Sequence, residues 1–292
     1  MSQNMADLSA RTPPPPCAIG TWCTETAPVT GTPLLHAVWA ASANDVFAVG
    51  DTGTIIHRNS AGTWSVMTSG TTNDLRGVWG SSASDVWAGG ISGTILHYNG
   101  TAWSSVSGAT TDVDAVWGTS STDMWFAGQG TVLQWTGSSF TTSTFGGTLL
   151  GISGTSASDV WTTGENTNAH HWNGTSWTTL TPGAGTSTYF TVLDVGANDV
   201  WVTDFFPNKE SVHYDGTSWT TKKTFSGQFD SLSALGTSDI WGAGASRIGH
   251  WDGTAWTTGQ PLGTGVSLWS VTAVATDVWV VGDAAEIAHM PL

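Results

Sequence analysis

Positive charge is scarce in this sequence, and its scarcity excludes several kinds of partner. The 292 residues include 7 Lys and Arg against 22 Asp and Glu, which gives a formal net charge of -15. A chain with this balance repels phosphate backbones and anionic head groups. We therefore expect no nucleic-acid partner and no binding to anionic membrane surfaces.

Long apolar runs are also missing. No stretch approaches the roughly 20 apolar residues that a spanning helix needs, so we expect no membrane insertion. The N-terminus lacks the apolar core of a secretory signal. Residues 1–16, which end in four consecutive prolines, are predicted to be a disordered lead-in. Residues 17–292 are predicted to form one folded domain.

Cysteine is nearly absent, with Cys17 and Cys23 as the two copies. Their spacing matches neither a redox motif nor a zinc motif. If the protein is exported, a disulfide between them would hold the first strand where fraying is greatest. Two free thiols are the alternative.

Helical periodicity is missing as well, and a repeated phrase takes its place. Charged residues make up 10% of the chain, whereas Gly and Trp are abundant at 37 and 19 copies. This composition is typical of short strands joined by tight turns. The phrase Asp-Val-Trp or a variant of it recurs with a period of about 40 residues, which is typical of propeller blades. It begins at Asp45, Asp85, Asp123, Asp159, Asp199, Asp239 and Asp277.

Each repeat unit is predicted to contain four strands, as the second unit shows. Its strands are expected at 75–79, 85–89, 94–98 and 101–104, with Asn99-Gly100 as a strong hairpin turn. Six units end in a Gly-Thr-x-Trp motif or a variant of it, and the seventh lacks one. Gly20-Thr21-Trp22 supplies the missing copy. We therefore predict an all-β, seven-bladed β-propeller with four antiparallel strands per blade, closed by an N-terminal strand that completes the last blade.

Three segments carry a family resemblance. Residues 49–57, 62–64 and 78–87 resemble the tandem repeats of exported bacterial propellers, of bacterial-neuraminidase-type (Asp-box-like) propellers and of photosystem II assembly-factor propellers. The resemblance covers about residues 20–292 and implies the propeller fold. It also implies a secreted, periplasmic or cell-surface protein. Such propellers include binding proteins, assembly factors and hydrolases, so the resemblance does not select an activity.

Residues that every unit carries are interpreted as structural. This applies to the repeated tryptophans, which pack sheet against sheet, and to the seven turn aspartates. A third-strand histidine also repeats, and we expect it to bind the turn aspartate or a neighbouring backbone. The third strand lies too far from the axis for these side chains to share one ion, so no metal or cofactor is predicted. The position holds His57, His97, Gln134, His171, His213, His250 and His289.

One position near the start of each inner strand does not repeat, and we predict that it forms the binding site. These side chains should ring the mouth of the central channel, where unlike groups can contact one molecule. The alternative is that they only plug or solvate the mouth. The position holds His36, Arg76, Asp114, Leu150, Phe190, Asp230 and Trp269.

Irregular loops on the same face extend the predicted site. Exposed aromatics beside acids and an arginine are suited to a sugar or a peptide. Phe205 and Phe206 have a second interpretation, in which they only cap the fifth blade. The loop residues assigned to the site are Glu165, Tyr189, Asp204, Phe205, Phe206 and Arg247.

The function predicted from these patterns is recognition without catalysis. We expect a monomer outside the cytoplasm that binds a carbohydrate or a protein through its channel mouth. The first alternative is a glycan-acting hydrolase or lyase with Asp114 and Asp230 as acid and base and His36 as a further proton carrier. The small number of arginines disfavours enzymes that act on acidic sugars. The second alternative is a structural or assembly scaffold.

Overall fold

The computed structural model describes residues 17–165, 168–183, 188–196, 198–204, 210–224, 228–263 and 265–292. The predicted lead-in and the pair Phe205 and Phe206 lie outside these residues. The described part consists of β-strands and two one-turn 3-10 segments, Asp51–Gly53 and Asp283–Ala285. Across those ranges, none of the helical segments is long and apolar enough to cross a membrane.

The strands run as successive antiparallel meanders. In the first half they are β1 Cys23–Glu25, β2 Leu35–Ser42, β3 Asp45–Gly50, β4 Ile55–Arg58, β5 Trp64–Met67, β6 Leu75–Ser82, β7 Asp85–Gly90, β8 Thr94–Tyr98, β9 Trp103–Ser105, β10 Val113–Ser120, β11 Asp123–Trp135 and β12 Phe140–Ser156. In the second half they are β13 Asp159–Gly164, β14 Ala169–Trp172, β15 Trp177–Leu180, β16 Tyr189–Gly196, β17 Asp199–Asp204, β18 Glu210–Tyr214, β19 Trp219–Thr224, β20 Ser231–Gly236, β21 Asp239–Gly244, β22 Arg247–Trp251, β23 Trp256–Gly259, β24 Leu268–Val274, β25 Asp277–Gly282 and β26 Ile287–Pro291.

The number of sheets corrects the sequence prediction. Seven separate four-stranded blades were expected, and that prediction is wrong: the described strands form six hydrogen-bonded sheets. Five of these sheets contain four strands each. The remaining sheet contains six strands, β10 to β15, and takes in the third and fourth repeat units together.

Two long strands, β11 and β12, cause this fusion. The first half of β11 pairs with β10 and its second half pairs with β12, which in turn continues into a pairing with β13. In the second unit a turn ending at Gly93 separates the second and third strands, whereas in the third unit only an irregularity at Gly130 does so. Gln129 of β11 also pairs with Thr148 of β12, so the segment that connects the third unit to the fourth stays paired within the same sheet. The repeat pattern defines the units but does not show that a short connection stays hydrogen-bonded.

The second strand of each unit forms the core. In β3, for example, Val46, Phe47, Ala48 and Val49 are fully buried. A strand covered on both faces by neighbouring sheets is expected to be apolar throughout rather than alternating. The core is therefore a ring of apolar layers between successive sheets.

The repeated histidines are confirmed as partners of the turn aspartates. His97 Nε2 lies 2.7 Å from Asp85 Oδ1, and a corresponding contact recurs in the other units, through Nδ1 of His289 in the last and with Gln134 donating to Asp123 in the third. The ring of His97 also stacks on Trp87 with centroids 4.2 Å apart. Each histidine therefore joins a turn to the core. The remaining pairs are His57–Asp45, His171–Asp159, His213–Asp199, His250–Asp239 and His289–Asp277.

The predicted closure by the N-terminal strand is confirmed. β1 pairs antiparallel with β26, with Cys23 opposite His289 and Glu25 opposite Ile287. Cys17 and Cys23 form a disulfide, and the backbone N–H of Gly20 between them donates to Pro291 O at 2.8 Å. The disulfide therefore closes a loop that is itself attached to the last strand.

Removing this disulfide should weaken closure. Replacing Cys17 and Cys23 with serine is expected to lower the free energy of unfolding by about 2 kcal/mol, since a short loop gives a modest entropic effect. Urea denaturation followed by tryptophan fluorescence measures the difference. Adding a reductant to the native chain should reproduce it, and equal midpoints for all samples would contradict the proposed contribution.

Candidate ligand-binding channel

A channel of about 460 Å³ runs through the centre of the ring. Each of the seven repeat units contributes one inner segment to its wall, because the six-stranded sheet supplies two. The volume is within the range of small-ligand pockets. The segments come from β2, β6, β10, the second half of β12, β16, β20 and β24.

The predicted mouth residues come together in part. His36, Arg76, Asp114, Asp230 and Trp269 all line the channel. Leu150 and Phe190 hold the same position in the fourth and fifth units but do not belong to the lining. Four of these residues lie in four different inner strands, and Asp230 directly precedes a fifth, so they surround one channel. Their role in binding stays a prediction.

Two of these residues are oriented by carboxylates in the neighbouring connections. His36 Nε2 lies 2.8 Å from Asp51 Oδ1, and Trp269 Nε1 donates to Asp283 Oδ1 at 2.7 Å. Both aspartates begin the connection between second and third strands. The channel mouth and these connections therefore share one face, as the strand order predicts.

Arg76 is neutralised by acids at the same mouth. Its Nη1 lies 2.5 Å from Asp114 Oδ1 and 3.4 Å from Asp112 Oδ2. Burial raises the pKa of Asp114, and its ion pair with Arg76 opposes that rise. Oδ2 of Asp114 is buried and accepts no hydrogen bond from the described residues. The mouth therefore offers no uncompensated positive charge at Arg76.

Asp230, on the other side of the mouth, has no cationic partner among the described residues. Its Oδ1 is buried and accepts no hydrogen bond from them. Burial raises the pKa of Asp230 to about 6, although hydrogen bonds from Gln228 and Ala245 act in the opposite direction. The carboxyl group of Asp230 therefore loses its proton about two pH units higher than an ordinary aspartic acid.

Two of the predicted loop residues are buried in the scaffold. Tyr189 is only 2% exposed and packs in the core between sheets, not at the rim. Burial, with the nearby charges of Asp204 and Glu210, raises the pKa of Tyr189 to about 12. Asp204 is buried as well and accepts the backbone N–H of Glu210 at 2.5 Å. The sequence at these two positions differs from that of the other units, but the side chains are buried and do not form an exposed surface.

Glu165 and Arg247, the other two described loop residues of the predicted site, are more exposed than Tyr189 and Asp204. Glu165 is exposed, and its Oε2 accepts the backbone N–H of Thr148 at 3.0 Å. Arg247 begins β22, is half-buried and lies opposite Gly244. Neither belongs to the channel lining described above.

Three tryptophans that repetition marked as structural line the channel. Trp39, Trp79 and Trp117 lie on three successive inner strands and are half-buried. Each packs against a glycine of the next inner strand: a Cβ added to Gly80 would lie 2.8 Å from Trp39. Together they form an aromatic wall. Their repetition in only three units was the sequence signal that could have identified them.

The opposite wall carries no indole, and three of its four corresponding side chains bear a hydroxyl group. Ser153, Leu193, Ser233 and Thr272 replace the indoles in the other four units. Ser233 Oγ accepts the backbone N–H of Ala273 at 2.9 Å, which leaves its hydroxyl proton for another acceptor. At the depth of the three tryptophans, the channel therefore has one aromatic side and one side with hydroxyl groups.

Asp194 is the most unusual residue of this wall. The other six units carry Ala or Gly at its position, and in three of them an indole of the preceding unit packs against the glycine. The preceding unit has the small Ser153, whose Oγ accepts the backbone N–H of Asp194 at 3.1 Å. The carboxyl group occupies the vacated space and is 6% exposed. Applying the variable-position criterion four residues further along the strand would have found it.

The environment of Asp194 favours its protonated form. Burial raises the pKa of Asp194 to about 7, and the charge of Asp159 adds to the rise, while a hydrogen bond from the backbone of Gly196 lowers it. Among the described residues, Thr155 donates its hydroxyl to Asp159 Oδ2 and also lowers the pKa of Asp194, whose Oδ2 is buried. Within the same residues, no group of three or more His, Cys, Asp or Glu is arranged to hold a metal ion.

Comparisons with known proteins show the fold but no family. No family model matches the chain, and no curated protein matches it. The solved structures that resemble it include the following three. YCF48 bound to a D1 peptide has a TM-score of 0.74 at 13% identity, covering 95% of this chain and 99% of that one. The WD40 propeller domain of Doa1 has a TM-score of 0.79 at 14% identity, covering 94% and 96%.

The third structure is an enzyme variant. A catalytically inactive virginiamycin B lyase from Staphylococcus aureus, with quinupristin, has a TM-score of 0.82 at 13% identity and covers 93% and 99%. All three likenesses confirm a β-propeller, and YCF48 is a photosystem II assembly factor. None supports neuraminidase-type repeats in particular. At these identities the likeness concerns the fold alone.

Proposed function

We propose that this protein is a recognition module without catalytic activity, and that a peptide segment of a partner protein binds at its channel mouth. The observation that carries the proposal is the convergence of His36, Arg76, Asp114, Asp230 and Trp269 on one rim. An imidazole, an ion pair, a buried acid and an indole can contact different parts of one extended ligand.

Two further observations support it. The similar structures include a propeller solved with a peptide and a WD40 domain. Trp269 and His36 are held in place by carboxylates, so little conformational entropy is lost when a ligand binds them.

The disulfide between Cys17 and Cys23 supports a location outside the cytoplasm, because such bonds persist in oxidising compartments.

A peptide-display selection tests the proposal. Peptides enriched on the native protein should bind the Trp269→Ala and His36→Ala variants at least about tenfold more weakly, which corresponds to about 1.4 kcal/mol. Ser121→Ala is the matched control, since this exposed serine lies in a turn at the opposite end of the strands. Thermal melts establish that the variants fold. Unchanged peptide affinity in the Trp269→Ala and His36→Ala variants would overturn the mouth as the site.

Carbohydrate binding is the second candidate. The observation that favours it is the wall of Trp39, Trp79 and Trp117 facing hydroxyl groups, because sugar rings stack on indoles while hydroxyls bind their edges. A glycan array with the native protein and Trp79→Ala tests it. Array signal that depends on Trp79, without any enriched peptide, would replace the peptide proposal.

A further inference from the structure

A groove of about 460 Å³ opens on the outer side of the ring, between the sixth and seventh repeat units. We call it the outer groove. Its lining consists of Trp22, which directly precedes β1, of residues from β21, β22 and β23, of Gln260 and Pro261, and of Met290 in β26. Among the described residues that line it, none is Asp, Glu, Lys or Arg. The outer groove is therefore an uncharged surface, and it is separate from the channel mouth.

Met290 is the first reason for the outer groove. In five units a third-strand aromatic ring lies beside the core ring of the preceding unit, as Trp251 does beside Trp201 with centroids 4.9 Å apart. The seventh unit has the narrow Met290 at this position, beside Trp241. Trp241 is 7% exposed, whereas the corresponding core rings of the other units are at most 3% exposed. The five aromatic residues are Tyr98, Trp135, Trp172, Tyr214 and Trp251.

Gly259 is the second reason. The other units carry a side chain three residues after the outer aromatic residue, and in three of them it accepts the indole N–H of the next unit's outer tryptophan. Glu25 Oε2, for example, accepts Trp64 Nε1–H at 2.6 Å. Gly259 offers no side-chain acceptor to Trp22, and a Cβ added to Gly259 would have open space, with Pro261 Cδ 3.9 Å away. The other two acceptors are Met67 Sδ for Trp103 and Ser143 Oγ for Trp177.

The chain itself carries a segment of matching chemistry next to the outer groove. Four consecutive prolines, Pro13 to Pro16, directly precede Cys17. Proline runs form extended polyproline II helices that bind in aromatic grooves, and their carbonyl groups are free to accept hydrogen bonds.

The distances allow this segment to reach the outer groove. The Cα atoms of Cys17 and Cys23 are 6.0 Å apart. The Cα atom of Cys17 therefore lies at most about 10 Å from that of Trp22. Four prolines span about 12 Å. Because β1 is the edge strand of its sheet, the chain before Cys17 can turn around this edge into the groove.

We propose that Pro13 to Pro16 bind in the outer groove of their own chain, against Trp22 and Trp241. A proline carbonyl then accepts the indole N–H of Trp22, in place of the side-chain acceptor that Gly259 lacks. A segment tethered this closely has an effective concentration in about the millimolar range, so weak contacts are sufficient. The bound prolines attach the lead-in to the last sheet, beside the closure by β1.

Trypsin cleavage after Arg11, the single Lys or Arg of the lead-in, tests the proposal. Bound prolines hold the adjacent Arg11–Thr12 bond away from the protease, so the cleavage rate follows the unbound fraction. Gly259→Leu and Met290→Trp fill the outer groove without changing the lead-in. Mass spectrometry should show cleavage of each variant at least about fivefold faster than that of the native chain.

Met290→Leu is the matched control, since it keeps a narrow side chain and should be cleaved at the native rate. The fourth unit already has leucine at the Gly259 position, Leu180, so this residue is compatible with the strand. Urea denaturation establishes that the variants fold. Equal cleavage rates in the native chain, Gly259→Leu and Met290→Trp would overturn the proposal.

A second arm identifies the occupant. The peptide acetyl-Thr-Pro-Pro-Pro-Pro-amide is titrated into the native chain and into a full-length variant with Pro13 to Pro16 replaced by serine, and the indole N–H signals are followed by NMR. The peptide should bind the native chain at least about fivefold more weakly, because the chain's own prolines compete. Equal affinities would assign the groove to a proline-rich segment of another protein, and no binding to the serine variant would exclude a proline site. Either result would overturn the proposal. Peptide selection at the channel mouth depends on His36 and Trp269, so its outcome is separate.

Discussion

Replacing Asp194 with asparagine is expected to remove most of the pH dependence of stability between about pH 4 and pH 7. The pKa of Asp194 is about 7 in the folded protein and near 3.8 in the unfolded chain. Between these values the folded state keeps a proton that the unfolded state has lost. Unfolding then releases a proton, so the free energy of unfolding falls as the pH rises.

The size of this effect follows from the width of the window. Asp194 stabilises the fold fully below about pH 4, and that contribution is lost as the pH rises through about 7. A shift of this width corresponds to a few kcal/mol. Asp159 and Asp199 are the charged groups that face Asp194, and both favour its neutral form. Asparagine resembles the protonated acid in shape and carries no charge, so the variant should be more stable than the native chain at pH 8.

Urea denaturation at a series of pH values measures this prediction. Asp230 adds a contribution over a narrower window that ends near pH 6, so the double variant Asp194→Asn with Asp230→Asn should have the flattest profile. Asp215→Asn is the control: backbone hydrogen bonds lower the pKa of Asp215, so it acts only below about pH 4. A native profile that is flat or rises between pH 4 and 7 would show that Asp194 is ionised in the folded protein.

Replacing Glu25 with alanine should open the ring at its closure. Glu25 lies in β1 but binds the first repeat unit: its Oε2 accepts Trp64 Nε1–H at 2.6 Å, and its Oε1 lies 3.3 Å from Arg58 Nη2. Arg58 in turn lies over Trp279, 5.1 Å from the ring centroid. One carboxylate therefore connects the last sheet to the first. We expect its loss to cost about 3 kcal/mol, because Arg58 is left largely buried without an acidic partner and, among the described residues, keeps only the amide oxygen of Asn44 as an acceptor.

The control for Glu25 is its neighbour in the same strand. Thr24→Ala changes an exposed side chain of β1 and should cost less than about 1 kcal/mol. The double variant Glu25→Ala with Trp64→Phe should lose less than the sum of the single variants, since both changes remove the same hydrogen bond. Denaturation midpoints for Glu25→Ala equal to those of Thr24→Ala would indicate that closure depends on the backbone pairing alone.

Much of the fold could be predicted because each unit solves the same packing problem. The phrase around Asp85, the histidine twelve residues later and the outer tryptophan recur, so their pairing and packing follow from one unit. The completion of the last sheet by β1 also follows, since the missing motif appears at the other end of the chain. The number of sheets does not follow, because the fusion of units three and four depends on whether the strand ladder continues past Gly130.

The candidate site was predictable to a lesser degree. Positions that vary among units identified His36, Asp114 and Trp269 as channel residues. The same criterion misplaced Tyr189, because an irregular sequence can fill a core as well as a surface. It also passed over Trp79, whose repetition suggested packing only.

The amino-acid sequence alone determined the strand order, the turn-to-core contacts and the closure at the N-terminus, since these depend on local pattern and hydrogen-bonding capacity repeated in every unit. Only the tertiary structure decided how many sheets form, which indoles face the channel and that Asp194 is buried where an indole packs elsewhere. Those features depend on how neighbouring units fill the space between them, and packing of that kind has no counterpart within a single repeat.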